Sequence, residues 1–341
     1  RMNKKAIESW LKLTDRTKRN IFEETAAAIG FPNAAAGEKD WWVVRTLELV
    51  FKSSIAEHTV FKGGTSLSKA WSLIDRFSEN IDLALDRSHL GFTQTDVEMT
   101  NSQVSKLRRH SQKFVTETFL PEMKQLFAEA GFEDIVLKPG EIKSPDEDPI
   151  TIEVYYNPVT DPIEYIPPRV LIEIGSRSLI EPCTNRDFKS LVGEQYAGRE
   201  FADNSITIPT VDPERTFLEK IFLLHERFQV QKEGAKVERR SRHLYDLEKL
   251  MDTKYAESAL SNPALYNLIV EHRRKLTPER GVDYDNHIPS KINIIPPENI
   301  RAEWEKDYKN MQESMFYLPS KPFDELLRRM MELNERINKI N

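Results

Sequence analysis

Strict alternation of apolar and polar or small residues marks one short segment of the chain, Asn80–Leu85. Alternation with a period of two predicts a β-strand that is buried on one face only. On the other face, two short side chains that carry oxygen, those of Asn80 and Asp82, would lie side by side. The segment therefore predicts a strand with two polar side chains on one face.

A glycine turn precedes the alternating strand. The β-branched and aromatic run Thr59–Phe61 predicts a strand, and Gly63 and Gly64 beyond its end let the backbone turn sharply and approach a ligand closely. Thr65 and Ser66 then start a segment with apolar residues at helical spacing, and either hydroxyl is a candidate N-cap. Free N–H groups, hydroxyls and the positive end of the helix dipole would meet at one point, which is where a phosphate can bind.

The glycine turn and the polar strand together indicate polymerase-like nucleotidyl transfer. Adjacent carboxylates in such a site hold Mg²⁺, which bridges the triphosphate and lowers the pKa of the attacking hydroxyl. A Gly-Gly pair alone is a weak signal, since most such turns are simply turns. The turn, the helix start and the acidic strand within one window are far more specific.

The remaining pattern predicts a mixed α/β protein. Helical spacing predicts helices over residues 3–30 with a break near Thr14, 38–52, 103–127, 212–225, 241–250, 304–317 and 323–340. Short apolar runs between Pro- and Asp-rich turns predict strands over 131–136, 151–156 and 170–174. We expect 182–209 to be a linker. The expected parts are N-terminal helices over 1–58, a core over 59–200 and a helical C-terminal domain over 201–341.

Composition narrows the class of protein. A chain of 341 residues with 39% hydrophobic and 30% charged residues reads as soluble and rather helical. No apolar run approaches the roughly 20 residues that span a bilayer, so we expect no membrane partner and a cytoplasmic location. The single cysteine, Cys183, excludes an internal disulfide and a cysteine-based zinc site. The net charge of −6 argues against indiscriminate coating of nucleic acid but is compatible with a local basic groove.

A basic cluster lies on the predicted helix over 103–127. Its members are Lys106, Arg108, Arg109, His110 and Lys113. A charge run of this kind is most often a solvated face. A strip that contacts RNA phosphates is the other interpretation, and both stay open. Lys39, at the start of the helix over 38–52, is similarly either a solvated lysine or a phosphate contact.

The segments Lys62–Lys69 and Arg76–Leu83 resemble the AbiEii/AbiGii toxin family of nucleotidyltransferases, the toxins of type IV toxin–antitoxin systems. The resemblance implies a polymerase-β-like core and transfer of a nucleotide from an NTP, with Mg²⁺ as cofactor. It also implies the 3′ end of tRNA as acceptor, a role in growth arrest or phage defence, and a cognate antitoxin that in some cases forms no stable complex.

The same resemblance assigns roles to residues. Gly63, Gly64, Thr65 and Ser66 would bind the phosphates, and Asn80, Asp82 and Glu173 would hold the metal, with Asp82 and Glu173 also catalytic. Glu173 matches the family's third acid, although Glu153 has the same local pattern. Lys220 would contact the triphosphate and act in catalysis, and Asp246 would orient Lys220 or take part in proton transfer. His243 stands where the family has a further Asp.

Asn80 departs from the family pattern, which has the first metal-binding aspartate there. An amide offers one neutral oxygen where a carboxylate offers two oxygens and a charge, so Mg²⁺ affinity should fall. Either the chain is naturally disabled or the aspartate was substituted in a toxic enzyme. Two alternatives to tRNA modification stay open: transfer of AMP to a protein side chain, and a catalytically silent protein that binds a nucleotide or a partner.

Overall fold

The computed structural model describes residues 3–31 and 33–340, and they form two compact units. The first comprises the described residues up to Trp71 together with Phe77–Val211. The second comprises Ser72–Arg76 together with the described residues from Asp212 onward. The three domains expected from the sequence stay a prediction.

The first unit is built on a seven-stranded mixed sheet with the order β3-β4-β5-β2-β1-β7-β6. Its strands are β1 Thr59–Lys62, β2 Asn80–Leu85, β3 Val136–Pro139, β4 Ile150–Tyr155, β5 Arg169–Gly175, β6 Cys183–Phe188 and β7 Ile206–Val211. β1 runs antiparallel to β2 and parallel to β7, while β2 runs parallel to β5. The strand that the alternating pattern predicted is therefore near the middle of the sheet.

Helices cover the apolar face of this sheet. Those of the first unit are α1 Lys4–Leu11, α2 Asp15–Ala28, α3 Ala34–Val50, α4 Gly63–Lys69, α5 Asn101–Phe114, α6 Leu120–Glu129 and α7 Leu191–Gln195. Ile81 and Leu83 of β2 are fully buried and belong to the same core cluster as Val44 and Leu47 of α3. Because side chains alternate along a strand, this packing leaves the Asn80 side of β2 on the opposite face.

The second unit is helical. Its helices are α8 Pro213–Val230, α9 Arg242–Leu250, α10 Lys254–Leu260, α11 Pro263–Leu276, α12 Arg301–Ser314 and α13 Phe323–Asn338. Ser72–Arg76 is integrated into this unit, since Arg76 forms an isolated β-bridge with Phe316 and Asp75 pairs with Lys249 at 3.2 Å. No helix in the described part of the chain combines the length and apolar character needed to cross a membrane.

One predicted strand and one predicted linker are wrong. Residues 131–135 form no strand, and β3 begins at Val136. The segment 182–209 contains β6, α7 and most of β7 rather than a linker. β6 is an edge strand with a largely polar sequence, and in β7 Pro209 interrupts the short alternation of Ile206–Ile208, so neither gives a clear strand signal.

The predicted helix bounds need three corrections. The helix over 103–127 is divided, because the π-helical turn Val115–Phe119 separates α5 from α6. α3 begins at Ala34, four residues before the predicted start at Glu38. α4 begins at Gly63 with Lys62 at its N-cap, so neither Thr65 nor Ser66 is the cap.

Candidate active site

A row of half-buried polar side chains crosses the sheet at Asp82, on the face opposite Ile81 and Leu83. In the register of the strands, Asp82 of β2 lies opposite Lys62 of β1 on one side and opposite Glu173 of β5 on the other. Residues opposed in register project to the same face of a sheet. The two acids that the resemblance assigned, Asp82 and Glu173, are therefore neighbours.

The glycine turn contacts this row directly. Gly63 has φ of +81°, and a Cβ atom at this position would lie 2.0 Å from Oδ2 of Asp82. Both the backbone conformation and the space require glycine. The predicted convergence of the glycine turn and the acidic strand is observed, and the first N–H groups of α4, which lack partners within the helix, begin beside the Asp82 carboxylate.

The hydroxyls of the turn are bound to the protein itself. Thr65 Oγ1 donates to the carbonyl oxygen of Asn80 and lies 2.8 Å from Ser78 Oγ, and Ser66 Oγ donates to the carbonyl oxygen of Gly63 at 2.8 Å. Both side chains are fully buried. These bonds fasten the start of α4 to β2. Phosphate binding by the two hydroxyls stays a prediction.

Asn80 contacts the third acid of the row. Its Nδ2 donates to Glu173 Oε1 at 3.2 Å, while its Oδ1 is buried with no hydrogen-bond partner among the described residues. The contact with Glu173 fixes the orientation of the amide, since the reverse orientation would place two oxygens together. An unsatisfied buried oxygen beside two carboxylates is an arrangement that a hard cation would complete.

The donor set is nevertheless one charge short of the family pattern. Among residues 3–31 and 33–340 no group of three or more His, Cys, Asp and Glu side chains is arranged to hold a metal ion. Asp82 and Glu173 supply two acids, and Asn80 supplies a neutral oxygen. The donor types and their shared face of the sheet therefore suit a divalent cation, but with reduced charge.

The alternative acid, Glu153, has other partners. It lies on β4, opposite Leu171 of β5, and so is separated from β2 by a whole strand. Its Oε1 accepts from Arg169 at 3.1 Å and its Oε2 from Tyr155 at 2.7 Å. The position next to β2 belongs to Glu173, which the resemblance favoured.

In the second unit, Asp246 lies in a buried charge cluster. Arg76 binds its carboxylate through two hydrogen bonds of 2.7 and 2.8 Å, and Lys220 Nζ lies 2.9 Å from Oδ2. Burial by itself would raise the pKa of Asp246, but the charges of Arg76 and Lys220 lower it far below the usual range. Such a carboxylate is a poor proton acceptor, and both roles that the resemblance implied for Asp246 stay predictions.

Sequence reasoning missed Arg76 as a partner of Asp246. The residue was noted only as part of the resemblance, and no periodicity indicates that an arginine is buried. His243 contacts the same cluster, since its Nδ1 lies 3.4 Å from Lys220 Nζ. Burial and the charge of Lys220 hold the pKa of His243 well below its usual value, so the ring is a neutral acceptor.

The family described as the nucleotidyl transferase AbiEii toxin of type IV toxin–antitoxin systems matches residues 46–329. The chain belongs to the AbiEii family. No curated protein matches it in sequence.

The first of two similar solved structures supports the fold of this AbiEii protein. The nucleotidyltransferase toxin MenT4 from Mycobacterium tuberculosis is 16% identical, with a TM-score of 0.51 over 96% of this chain and 91% of that one. JHP933 from Helicobacter pylori is 14% identical, with a TM-score of 0.41 over 86% and 90% of the two chains. The mixed α/β fold predicted from the sequence is confirmed.

Two other basic features of this AbiEii protein have distinct environments. Lys39 is buried, and its Nζ lies 2.6 Å from Glu79 Oε2 and 2.9 Å from the carbonyl oxygen of Pro167, so the expected solvated lysine is wrong. Most of the basic cluster on α5 is exposed. Arg108 is half-buried and pairs with Asp146 at 3.1 Å.

Proposed function

We propose that this AbiEii protein transfers a nucleotide from an NTP to the 3′ end of tRNA, with release of pyrophosphate, and that Asn80 weakens its binding of Mg²⁺. The observation that supports the proposal is the shared sheet face of Asn80, Asp82 and Glu173, with Gly63 against the Asp82 carboxylate. In cells the reaction would arrest growth or act in phage defence.

The residues of the sheet would position the reactants. The backbone N–H groups at Gly63 and Gly64 face the phosphates, and Asp82, Glu173 and the Asn80 oxygen hold the cation. Mg²⁺ would supply positive charge that stabilises the triphosphate and lowers the pKa of the attacking hydroxyl. The 3′ oxygen attacks the α-phosphorus, the bond to the β-phosphate breaks, and Glu173 accepts the hydroxyl proton.

Lys220 would contribute a positive charge to the triphosphate. Asp246 fixes its ammonium, and the three ionised groups Arg76, Lys220 and Asp246 leave one net positive charge in the cluster. Burial lowers the pKa of Lys220, but contact with Asp246 favours its charged form. Phosphate-binding lysines act as point charges of this kind.

We assign RNA contacts to the exposed part of the basic helix α5. Lys106, Arg109, His110 and Lys113 recur at intervals that place them on one helical face, and each is exposed. Lys113 has an acidic neighbour, Glu117, at 3.9 Å. In a chain of net charge −6, this face is a local attraction for the phosphates of an RNA acceptor.

A labelling assay tests the function. The chain as it stands and an Asn80→Asp variant are each incubated with Mg²⁺, one α-labelled NTP at a time, total tRNA and cell lysate. We expect label in tRNA, far more with Asn80→Asp, and none when Asp82→Asn is added to that variant. Label in protein alone would reject the tRNA acceptor in favour of AMP transfer to protein.

A catalytically silent binding protein is the second candidate. The amide of Asn80 donates a hydrogen bond to Glu173, so this arrangement is compatible with nucleotide binding without turnover. Equilibrium binding of an NTP by the chain as it stands, with no label transferred by either it or Asn80→Asp, would support this candidate and reject the enzyme.

The toxin role has a separate test. Controlled expression of Asn80→Asp in a bacterial host should stop growth, whereas expression of the chain as it stands should not. A cognate antitoxin should relieve the arrest, with or without a stable complex. Growth that continues under Asn80→Asp, although tRNA is labelled in vitro, would separate the activity from the proposed role.

A further inference from the structure

Lys62 is the last residue of β1 and immediately precedes the glycine turn. It lies opposite Asp82 in the antiparallel register and so projects to the face that carries Asp82 and Glu173. Its side chain is half-buried. The proposed phosphate turn, the two acids and this lysine are thus adjacent within one unit.

The side chains of Lys62 and Asp82 are directed to different partners. No ion pair joins them in the described part of the chain, although they are opposed in register. Asp82 Oδ2 is turned towards the Cα of Gly63, and Lys62 Nζ donates to Ser178 Oγ at 3.0 Å. The partner of the ammonium group is therefore a neutral hydroxyl.

Two nearby lysines of the same unit show the contrast. Lys39 pairs with Glu79 at 2.6 Å, and Lys69, at the end of α4, pairs with Asp40 at 2.6 Å. A carboxylate partner cancels most of the charge that a lysine presents to a ligand. A hydroxyl partner leaves that charge in place, because it accepts one hydrogen bond and carries no charge.

The hydroxyl that holds Lys62 is on an anchored loop. Ser178 follows β5. The two residues before it both donate to the buried carboxylate of Asp148: Ser176 through its backbone N at 3.1 Å and Arg177 through Nε at 2.9 Å. The loop is thereby fixed at the end of β5. Lys62 is held at a defined position with its charge uncompensated by this contact.

We propose that Lys62 binds the phosphates of the incoming nucleotide. This inference rests on the proposed function and adds a residue to it. The ammonium group donates to a phosphate oxygen, while Asp82 on the neighbouring strand faces the cation. Ser178 positions the lysine before the nucleotide arrives, so little side-chain freedom is lost on binding.

Binding of nucleotides by the full chain tests the proposal. The dissociation constants of an NTP, of the matching nucleoside and of pyrophosphate are measured with Mg²⁺ for the chain as it stands and for Lys62→Met. We expect NTP and pyrophosphate to bind about 10- to 100-fold more weakly to Lys62→Met, since one charge-assisted hydrogen bond is lost. The nucleoside should bind the two proteins equally.

Lys138→Met is the matched control. Lys138 lies on β3, and the register through Glu153 and Leu171 to Asn80 places it on the same face of the sheet but at the edge. Its loss should leave NTP binding unchanged. Lys62→Arg, which keeps the charge, should recover part of the affinity, and Ser178→Ala should weaken NTP binding less than Lys62→Met does.

Three outcomes are distinguishable. Equal NTP affinity for Lys62→Met and the parent chain would overturn the role of Lys62 even if Asn80→Asp labels tRNA. Equal weakening of NTP and nucleoside by Lys62→Met would also overturn it, because a general structural defect does not depend on phosphate. Failure of Asn80→Asp to label any acceptor, with NTP binding still sensitive to Lys62, would reject the proposed enzyme and leave the phosphate contact standing.

Discussion

A Cβ atom on Gly63 would lie 2.0 Å from Oδ2 of Asp82. No side chain can occupy that space while Asp82 keeps its place, so the absence of a side chain at residue 63 and the presence of the acid at residue 82 depend on each other. The turn reaches the acidic strand closely enough for one ligand to contact both.

We predict that Gly63→Ala disrupts both the backbone and Asp82. The φ of +81° costs an alanine about 1–2 kcal/mol, and the clash adds about 1–3 kcal/mol. Gly91 is the matched control, since its φ is +84° and nothing lies within 4 Å of its would-be Cβ. Denaturant unfolding should show Gly63→Ala losing clearly more stability than Gly91→Ala. Equal losses would mean that Asp82 can move aside freely.

Asn80→Asp should make stability depend on Mg²⁺. The amide hydrogen bond to Glu173 at 3.2 Å would become a contact between two carboxylates, which repel until a cation binds. We expect a lower melting temperature than the parent without Mg²⁺ and a rise with added Mg²⁺, as for any ligand of the folded state.

Asn185→Asp is the control for that substitution. Asn185 is an exposed residue on the edge strand β6 of the same sheet. The melting temperature of Asn185→Asp should respond to Mg²⁺ as that of the parent chain does. A response of Asn80→Asp no larger than that of Asn185→Asp would contradict the assignment of the cation to Asp82 and Glu173.

Arg76→Met should strongly destabilise the helical unit. It leaves Asp246 buried with Lys220 as its remaining cationic partner among the contacts described above, and removing one member of a buried ion pair typically costs about 3–5 kcal/mol. Arg274 pairs with Asp285 at the surface, so Arg274→Met should cost at most about 1 kcal/mol. Urea unfolding of the two variants measures the difference. Similar midpoints would show that Lys220 alone compensates Asp246.

Mild acid should weaken the same unit through His225. Burial, followed by the neighbouring His287, lowers the pKa of His225 to about 4, from an ordinary value of 6.5. The unfolded chain therefore takes up this proton first, so the contribution of His225 to stability is full above pH 6.5 and is lost as pH falls towards 4. The loss is on the order of 3 kcal/mol.

The pH dependence of unfolding in His225→Gln checks this prediction. The contribution between pH 6.5 and 4 should disappear from its stability curve, while the dependence below pH 4, where carboxylates titrate, should remain. An unchanged slope between pH 6.5 and 4 would assign the acid sensitivity to other groups.

Sequence patterns predicted those elements of the fold that a few consecutive residues determine. The alternation of β2 and the glycine pair that starts α4 are each contained in a few residues, and the structure shows both. β6 escaped prediction because an edge strand with a polar sequence has no apolar face to reveal it. Neither Thr65 nor Ser66 is the N-cap, because α4 begins at Gly63. Their hydroxyls instead donate to backbone carbonyl groups, one of them 15 residues away.

The residues of the candidate site also differ in whether the local sequence can predict them. Asp82 followed from alternation, whereas Glu173 needed the resemblance, since its pattern is shared with Glu153. What decides between these two acids is strand order, which no local pattern contains. The partnership of Arg76 with Asp246 spans 170 residues of sequence, so only the folded chain reveals it.

The assignment of Ser72–Arg76 to the helical unit has a practical consequence for anyone dissecting the protein. A recombinant fragment that starts at Asp212 would contain Asp246 but lack its arginine counter-ion, because that arginine is encoded far upstream. A simple truncation would therefore produce a helical piece with a destabilised interior. Supplying 72–76 as a synthetic peptide, or splicing it onto the fragment, would be needed for that piece to fold properly.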